Sequence, residues 1–175
     1  MRLIQMFFLS AIMAIYVQAA MDTSSLVGKS APLFRLPNQN TTTPIQFSLA
    51  DQFSPDSHHA VVVSFFSLSC VPCRKELPFL QHCADSLREN GLRMIAVCVD
   101  TEYSGKQKKM VTDLKLACPI VSSTTGILAK RFDVSQALPQ TIFIDRHGIV
   151  QAKTVGFGEK EIFAVRRAIE KILAR

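Results

Sequence analysis

Two cysteines three residues apart are the most chemically distinctive feature of this sequence. Cys70 and Cys73 lie in the stretch SLSCVPCRKELP, residues 67–78, with Pro72 directly before the second cysteine. A pair at this spacing is able to bind a metal ion, to form a structural disulfide, or to exchange electrons with other thiols. The secondary-structure elements predicted around the pair help to decide which of these three chemistries applies.

The position of the pair favours electron exchange. An apolar run at 61–66 ends shortly before Cys70, and apolar residues then recur at helical spacing, at Leu77, Leu80, Cys83 and Leu87. This pattern predicts a buried strand followed by a helix that starts at Cys70. Backbone N–H groups and the helix dipole stabilise a thiolate at such a start, which lowers the pKa of the thiol. We therefore expect Cys70 to attack a disulfide and Cys73 to resolve the mixed disulfide.

Metal binding is the main rival chemistry for a cysteine pair. Zinc usually takes four ligands, whereas the histidine pair His58-His59 lies in a polar loop and His147 in a turn. We therefore predict no zinc site and no cofactor, and copper(I) held by the two thiols alone stays an alternative. The other cysteines fall in core-like positions, where inert thiols are expected, with a Cys98–Cys118 disulfide as the alternative. These three cysteines are Cys83, Cys98 and Cys118.

Composition is typical of one folded domain without a nucleic-acid partner. The 175 residues are 48% hydrophobic and 19% charged, enough to bury one core. The formal charge is +6, but the cations are scattered, and the densest group, at 106–109, fits the solvated face of a helix. We predict a monomer.

The N-terminal residues predict export. A short basic start at Arg2 precedes an apolar run at 3–17, and the small residues of VQA suit signal-peptidase cleavage after Ala19. The run is shorter than the roughly 20 residues of a membrane span, so a cleaved signal peptide at 1–19 is favoured over an uncleaved anchor. A linker at 20–30 and a domain over 26–175 follow. The protein is then expected in the periplasm, or on the outer face of the cytoplasmic membrane if the segment stays attached.

Strands and helices alternate along the rest of the chain. Short apolar runs separated by turn residues predict a β-hairpin within residues 26–53, laid onto the main sheet. Further strands are predicted at 61–66, 92–99, 118–121, 141–145 and 149–156, and further helices at 101–116, at 125–132 and from about 159. The fold class is therefore α/β, a central mixed sheet with helices on both sides.

These motifs together resemble a known family. In order and spacing, LVGKSAPLFRL (26–36), CVPCRKELP (70–78), ALPQTIFIDRHGIV (137–150) and the final helix are similar to the exported thioredoxin-like thiol–disulfide oxidoreductases. The resemblance is to the TlpA/ResA/CcmG group of the AhpC/TSA or redoxin-like family, and it covers nearly all of residues 26–175. It implies a thioredoxin-like fold with an N-terminal hairpin extension.

The resemblance also implies roles for single residues. Pro139 matches a cis-proline that packs beside the cysteine pair, and Leu138 would then offer main-chain hydrogen bonds to an extended segment of the substrate. Glu76, three positions after Cys73, matches a part-buried acid with a raised pKa that helps to move the proton of the resolving thiol. Ser64 stands where ordinary thioredoxins carry a buried aspartate, whose work Glu76 would take over.

Two residues depart from the family pattern. Ser69 replaces the tryptophan that usually precedes the first cysteine, and the chain contains no tryptophan. Gln140 stands where threonine is common. Both changes bear on the choice of partner and on the redox potential rather than on the disulfide chemistry.

The function implied by the resemblance is the reduction of disulfides in specific envelope proteins. Apocytochrome c and copper chaperones for cytochrome oxidase are the expected clients, and a membrane thiol-transfer protein is the expected electron source. A copper-binding chaperone of the same fold is an alternative, although such relatives use a C-x-x-x-C spacing. A peroxiredoxin-like peroxidase is another, although Val63 stands where the peroxiredoxin pattern requires proline.

Overall fold

A five-stranded mixed sheet forms the centre of the computed structural model, which describes residues 26–40, 45–100 and 105–175. In chain order the elements are β1 (Arg35–Pro37), β2 (Gln46–Ser48), a 3-10 turn (Ala50–Phe53), β3 (Ala60–Phe66), α1 (Val71–Ser86), β4 (Leu92–Cys98), α2 (Gly105–Asp113), β5 (Ile120–Ser122), α3 (Ile127–Arg131), β6 (Gln140–Ile144), β7 (Val150–Val155) and α4 (Glu159–Leu173). The strand order is β5-β4-β3-β6-β7. β3, β4 and β5 run parallel, while β6 and β7 are antiparallel to their neighbours.

Helices cover both faces of this sheet, as the alternation predicts. Side chains alternate along β3, so that Val62 and Phe66 pack with α1 and α4, whereas Val61 and Phe65 face the side that α3 covers. All seven residues of β3 are buried, as expected for a central strand covered on both faces. The cysteine pair follows the end of this central strand.

The N-terminal hairpin forms a small sheet of its own. β1 and β2 pair antiparallel, with Leu36 opposite Phe47, which confirms the predicted pairing. The residues after β1 hydrogen-bond to the edge strand β5, because Gln39 N–H donates to Ile120 O at 2.7 Å and Ile120 N–H donates to Asn38 Oδ1 at 3.0 Å. The hairpin therefore lies beside the edge of the main sheet. Its connecting loop at 41–44 falls outside the described residues.

Several predicted element boundaries were wrong for local backbone reasons. The helix predicted over 101–116 ends at Asp113, shortly before Lys115 adopts a φ of 52°. The helix predicted over 125–132 spans only Ile127–Arg131, because Gly126 is left-handed with a φ of 68°. The strand predicted from 118 begins at Ile120, after Pro119, which has no N–H to donate.

Residues 26–30, which the sequence places both in the linker at 20–30 and in the domain at 26–175, are hydrogen-bonded to the domain. Gly28 N–H donates to Val150 O at 2.8 Å, and Val150 N–H donates to Lys29 O at 2.9 Å. Residues 26–30 are therefore attached to the domain beside β7, while the predicted signal peptide at 1–19 lies outside the described residues. Within the described ranges, no helix has the length and apolar character needed to cross a membrane.

Candidate active site

A disulfide joins Cys70 and Cys73 at the start of α1. Cys70 is the N-cap residue with extended backbone, α1 begins at Val71, and the two Cα atoms are 5.3 Å apart. The Cys73 N–H donates to Cys70 Sγ at 3.2 Å, so one of the unpaired N–H groups of the helix start points at this sulfur. After reduction the same N–H would stabilise a thiolate on Cys70.

The two sulfurs differ in their access to other proteins. Cys70 is half-buried, whereas Cys73 is fully buried against the core formed with α1. A bulky partner is therefore able to reach Cys70 and not Cys73. This asymmetry fits the order predicted from the sequence, in which Cys70 attacks and Cys73 resolves.

The loop that carries Cys70 is held by two charged side chains that the sequence reasoning missed. The Leu68 N–H donates to Asp100 Oδ2 at 2.7 Å, and the Arg74 guanidinium donates to Leu68 O at 3.2 Å. Asp100 comes two residues after β4, the parallel neighbour of β3, so its strand ends at the same edge of the sheet as the strand before Cys70. That shared edge is the signal that could have identified Asp100.

Glu76 is fully enclosed within the protein, so the prediction of partial burial was wrong. Its carboxylate accepts a hydrogen bond from Ser64 Oγ at 2.8 Å and another from Thr141 Oγ1 at 2.9 Å. Ser64 and Thr141 lie directly opposite each other on β3 and β6, so both hydroxyls project toward the same face of the sheet. Burial raises the pKa of Glu76 to about 7, and the two hydroxyl hydrogen bonds act in the opposite direction.

The Leu138–Pro139 peptide bond is cis, as the resemblance implies. Pro139 O accepts a hydrogen bond from Gly156 N–H at 2.7 Å, which ties this loop to the end of β7. Leu138 is half-buried and packs against the core on both faces of the sheet. Among the described residues, no hydrogen bond is made by the backbone N–H or C=O of Leu138, so both groups are free to bind another chain.

The remaining cysteines are free thiols, so the alternative Cys98–Cys118 disulfide was wrong. Both side chains are buried, and burial raises the pKa of each thiol to about 12. The Cys98 thiol donates to Asp100 Oδ2 at 3.3 Å. Cys83 is half-buried rather than part of the core, and partial burial raises the pKa of its thiol while the nearby Arg166 lowers it.

The protection of these thiols is testable by alkylation. A rise in pKa from 9 to about 12 lowers the thiolate fraction about a thousandfold at pH 8. We expect iodoacetamide to leave Cys98 and Cys118 unmodified in the reduced, folded protein while Cys70 reacts. Mass spectrometry of peptides would report each site, with the protein in urea as the control. Rapid labelling of Cys98 in the folded protein would contradict the assignment.

Metal ligands are not clustered in the part of the chain that the structure describes. Within residues 26–40, 45–100 and 105–175, no three histidine, cysteine or acidic side chains come close enough together to bind one ion.

Comparison with known proteins assigns the family. Residues 27–153 match the AhpC/TSA family. The chain belongs to this family. One relative is the thiol-disulfide oxidoreductase ResA of Bacillus cereus, 32% identical over 102 residues, which are 58% of this chain and 57% of that protein. The chain therefore spans a little over half the length of the curated relatives it matches.

Superposition on solved structures shows that this AhpC/TSA member has a thioredoxin-like fold. A putative thiol:disulfide interchange protein DsbE from Chlorobium tepidum superposes with a TM-score of 0.74, at 24% identity over 84% of this chain and 97% of that one. The thioredoxin domain of a thiol-disulfide oxidoreductase from Bacteroides vulgatus gives a TM-score of 0.65, at 22% identity over 82% and 97%. The thioredoxin-like fold predicted from the sequence is confirmed.

Proposed function

We propose that this AhpC/TSA-family protein is an exported thiol–disulfide oxidoreductase that reduces disulfides of specific partner proteins. The observation that carries the proposal is the pairing of a half-buried Cys70 at a helix start with a fully buried Cys73 at disulfide distance. The name of the Bacillus cereus relative supports the same activity.

The reaction proceeds in two thiol–disulfide exchanges. The Cys70 thiolate attacks a sulfur of the partner disulfide, which forms a mixed disulfide and releases one partner thiolate. The Cys73 thiolate then attacks Cys70 Sγ, which forms the Cys70–Cys73 disulfide and releases the second partner thiolate. Two electrons pass from the protein to its partner, and a dithiol of a membrane thiol-transfer protein returns them.

Glu76 and Leu138 assist these exchanges. The Glu76 carboxylate, held on α1 one turn beyond Cys73, takes the proton of the Cys73 thiol and so supplies the resolving thiolate. The free N–H and C=O of Leu138 bind an extended segment of the partner beside Cys70. Both roles follow the family resemblance, and the burial of Glu76 supports the first of them.

The cellular setting rests on the N-terminal sequence. Cleavage of residues 1–19 places the protein in the periplasm, and an uncleaved segment holds it on the outer face of the cytoplasmic membrane. Apocytochrome c, whose haem-attachment cysteines must be reduced, and copper chaperones of cytochrome oxidase are the proposed partners of this monomer.

A redox titration of the full chain tests the proposal. The protein is equilibrated in glutathione or dithiothreitol buffers, alkylated, and mapped by mass spectrometry for each cysteine. A Cys70–Cys73 couple well below about −200 mV is the result expected of a reductase, whereas a value near about −120 mV would make the protein an oxidant. Failure of the two thiols to pair would refute an oxidoreductase and favour the copper chaperone, which titration with copper(I) would detect.

A further inference from the structure

The side chain of Gln140 is tied to the loop that presents Leu138. Gln140 is fully buried at the start of β6, and its Nε2 donates to Ala137 O at 2.7 Å, Ser135 Oγ at 2.5 Å and Ser135 O at 3.2 Å. Two of these three acceptors are main-chain carbonyls, so the contacts need a side chain that donates hydrogen bonds at this position. The buried amide therefore connects the end of the loop of residues 135–140 to its first residues by hydrogen bonds.

This contact fixes the direction of the Leu138 N–H. Among the described residues only the Leu138–Pro139 peptide bond is cis, so the Ala137–Leu138 bond is trans. In a trans peptide the C=O and the following N–H point in opposite directions. Since Ala137 O points inward to the buried amide, the Leu138 N–H points away from it, and no described residue accepts a hydrogen bond from it.

We propose that Gln140 is a positioning residue that orients the Leu138 N–H toward an extended main-chain segment of the partner protein. The inference rests on the proposed function and adds a determinant of partner affinity to it. Main-chain hydrogen bonds supply affinity when an extended segment pairs with an exposed edge. A threonine at this position would offer a single O–H donor and would be too short to span both carbonyls.

Replacing the donor while keeping its length tests this role. Gln140→Met removes the N–H groups and retains an unbranched side chain of similar size. The substrates are a disulfide-bonded peptide, which needs main-chain contacts, and 5,5′-dithiobis(2-nitrobenzoic acid), which does not. With dithiothreitol as the reductant, KM for the peptide should rise about five- to tenfold, the effect of losing one well-oriented hydrogen bond. The rate with the small disulfide, and the equilibrium constant for reduction of the Cys70–Cys73 disulfide by dithiothreitol, should each stay within about twofold of wild type.

A second buried amide provides the matched control. Gln151 on β7 donates from Nε2 to Asp145 Oδ2 at 2.7 Å, and Asp145 follows the end of β6 opposite to Pro139. Gln151→Met should therefore leave KM for the peptide unchanged, although it also removes a buried hydrogen bond. A rise of KM in both variants would indicate a general loss of packing and would overturn the proposal.

The remaining outcomes are equally decisive. An unchanged peptide KM in Gln140→Met overturns the positioning role, as does an equal loss of rate with both disulfides. If Gln140→Met does not fold, Gln140→Leu gives the same comparison, because its side chain also has no hydrogen-bond donor. If the wild-type protein reduces neither substrate, the proposed function fails, which is a result distinct from failure of the Gln140 inference.

Discussion

Replacing Cys70 by serine is expected to lower the rate of disulfide reduction by at least about a thousandfold, since a serine hydroxyl is not a competent nucleophile here. Replacing Cys73 by serine is expected to give a different defect. Cys70 is the half-buried sulfur and still attacks, but the fully buried Cys73 is no longer there to release the partner. The mixed disulfide between Cys70 and the partner should accumulate and be visible on non-reducing gels and by mass spectrometry.

Cys83→Ser is the matched control for both variants. Cys83 lies on the same helix, is half-buried and takes no part in the disulfide, so its loss should leave the rate within about twofold of wild type. If the mixed disulfide instead accumulated in Cys70→Ser and not in Cys73→Ser, the roles of the two sulfurs would be reversed.

The placement of the cysteine pair could be predicted from the sequence because its causes are local. The apolar run of β3, the helical spacing of Leu77 and Leu80, and Pro72 in the first turn all act within 20 residues of Cys70. The cis bond before Pro139 was available only through the family resemblance, because a lone X-Pro in a sequence is far more often trans.

The environment of the pair could not be predicted, because it depends on strand register and on long-range contacts. The enclosure of Glu76 requires Ser64 and Thr141, 77 positions apart in the chain, to lie opposite each other on β3 and β6. The contact of Asp100 with Leu68 and that of Gln140 with Ala137 are set by loop conformations. Spacing in a sequence indicates the period of an element and gives no register between elements.

The attachment of residues 26–30 could not be predicted for a related reason. Residues 26–30 contain few large apolar side chains, and their attachment beside β7 is made by main-chain hydrogen bonds. Main-chain pairing of an irregular segment leaves no hydrophobic periodicity in the sequence, so composition alone did not decide between linker and domain for these residues.

Glu76→Gln is expected to change both the stability and the pH dependence of the protein. The folded-state pKa of about 7 lies above the ordinary value of 4.5, so between these pH values the folded protein holds a proton that the unfolded chain has released. The contribution of Glu76 to the free energy of unfolding should therefore be fully present below pH 4.5 and should be lost as the pH rises through 7, by about 3 kcal/mol at most. Glutamine carries no such charge, so the oxidised variant should be more stable than wild type at pH 8 and close to it at pH 4.5.

The same substitution separates a catalytic role of Glu76 from a purely structural one. A structural carboxylate affects only the free energy of unfolding, which denaturant titrations at pH 4.5 and pH 8 measure. A group that takes the proton of Cys73 also affects resolution, so release of the partner from the mixed disulfide should slow about 10- to 100-fold in Glu76→Gln at pH 7, and formation of the mixed disulfide should not. Glu170→Gln, on an exposed face of α4, should change neither quantity. Glu76 is enclosed and hydrogen-bonded to Ser64 and Thr141. Resolution at the wild-type rate in Glu76→Gln would mean that this carboxylate does not take the Cys73 proton, which then leaves by another route.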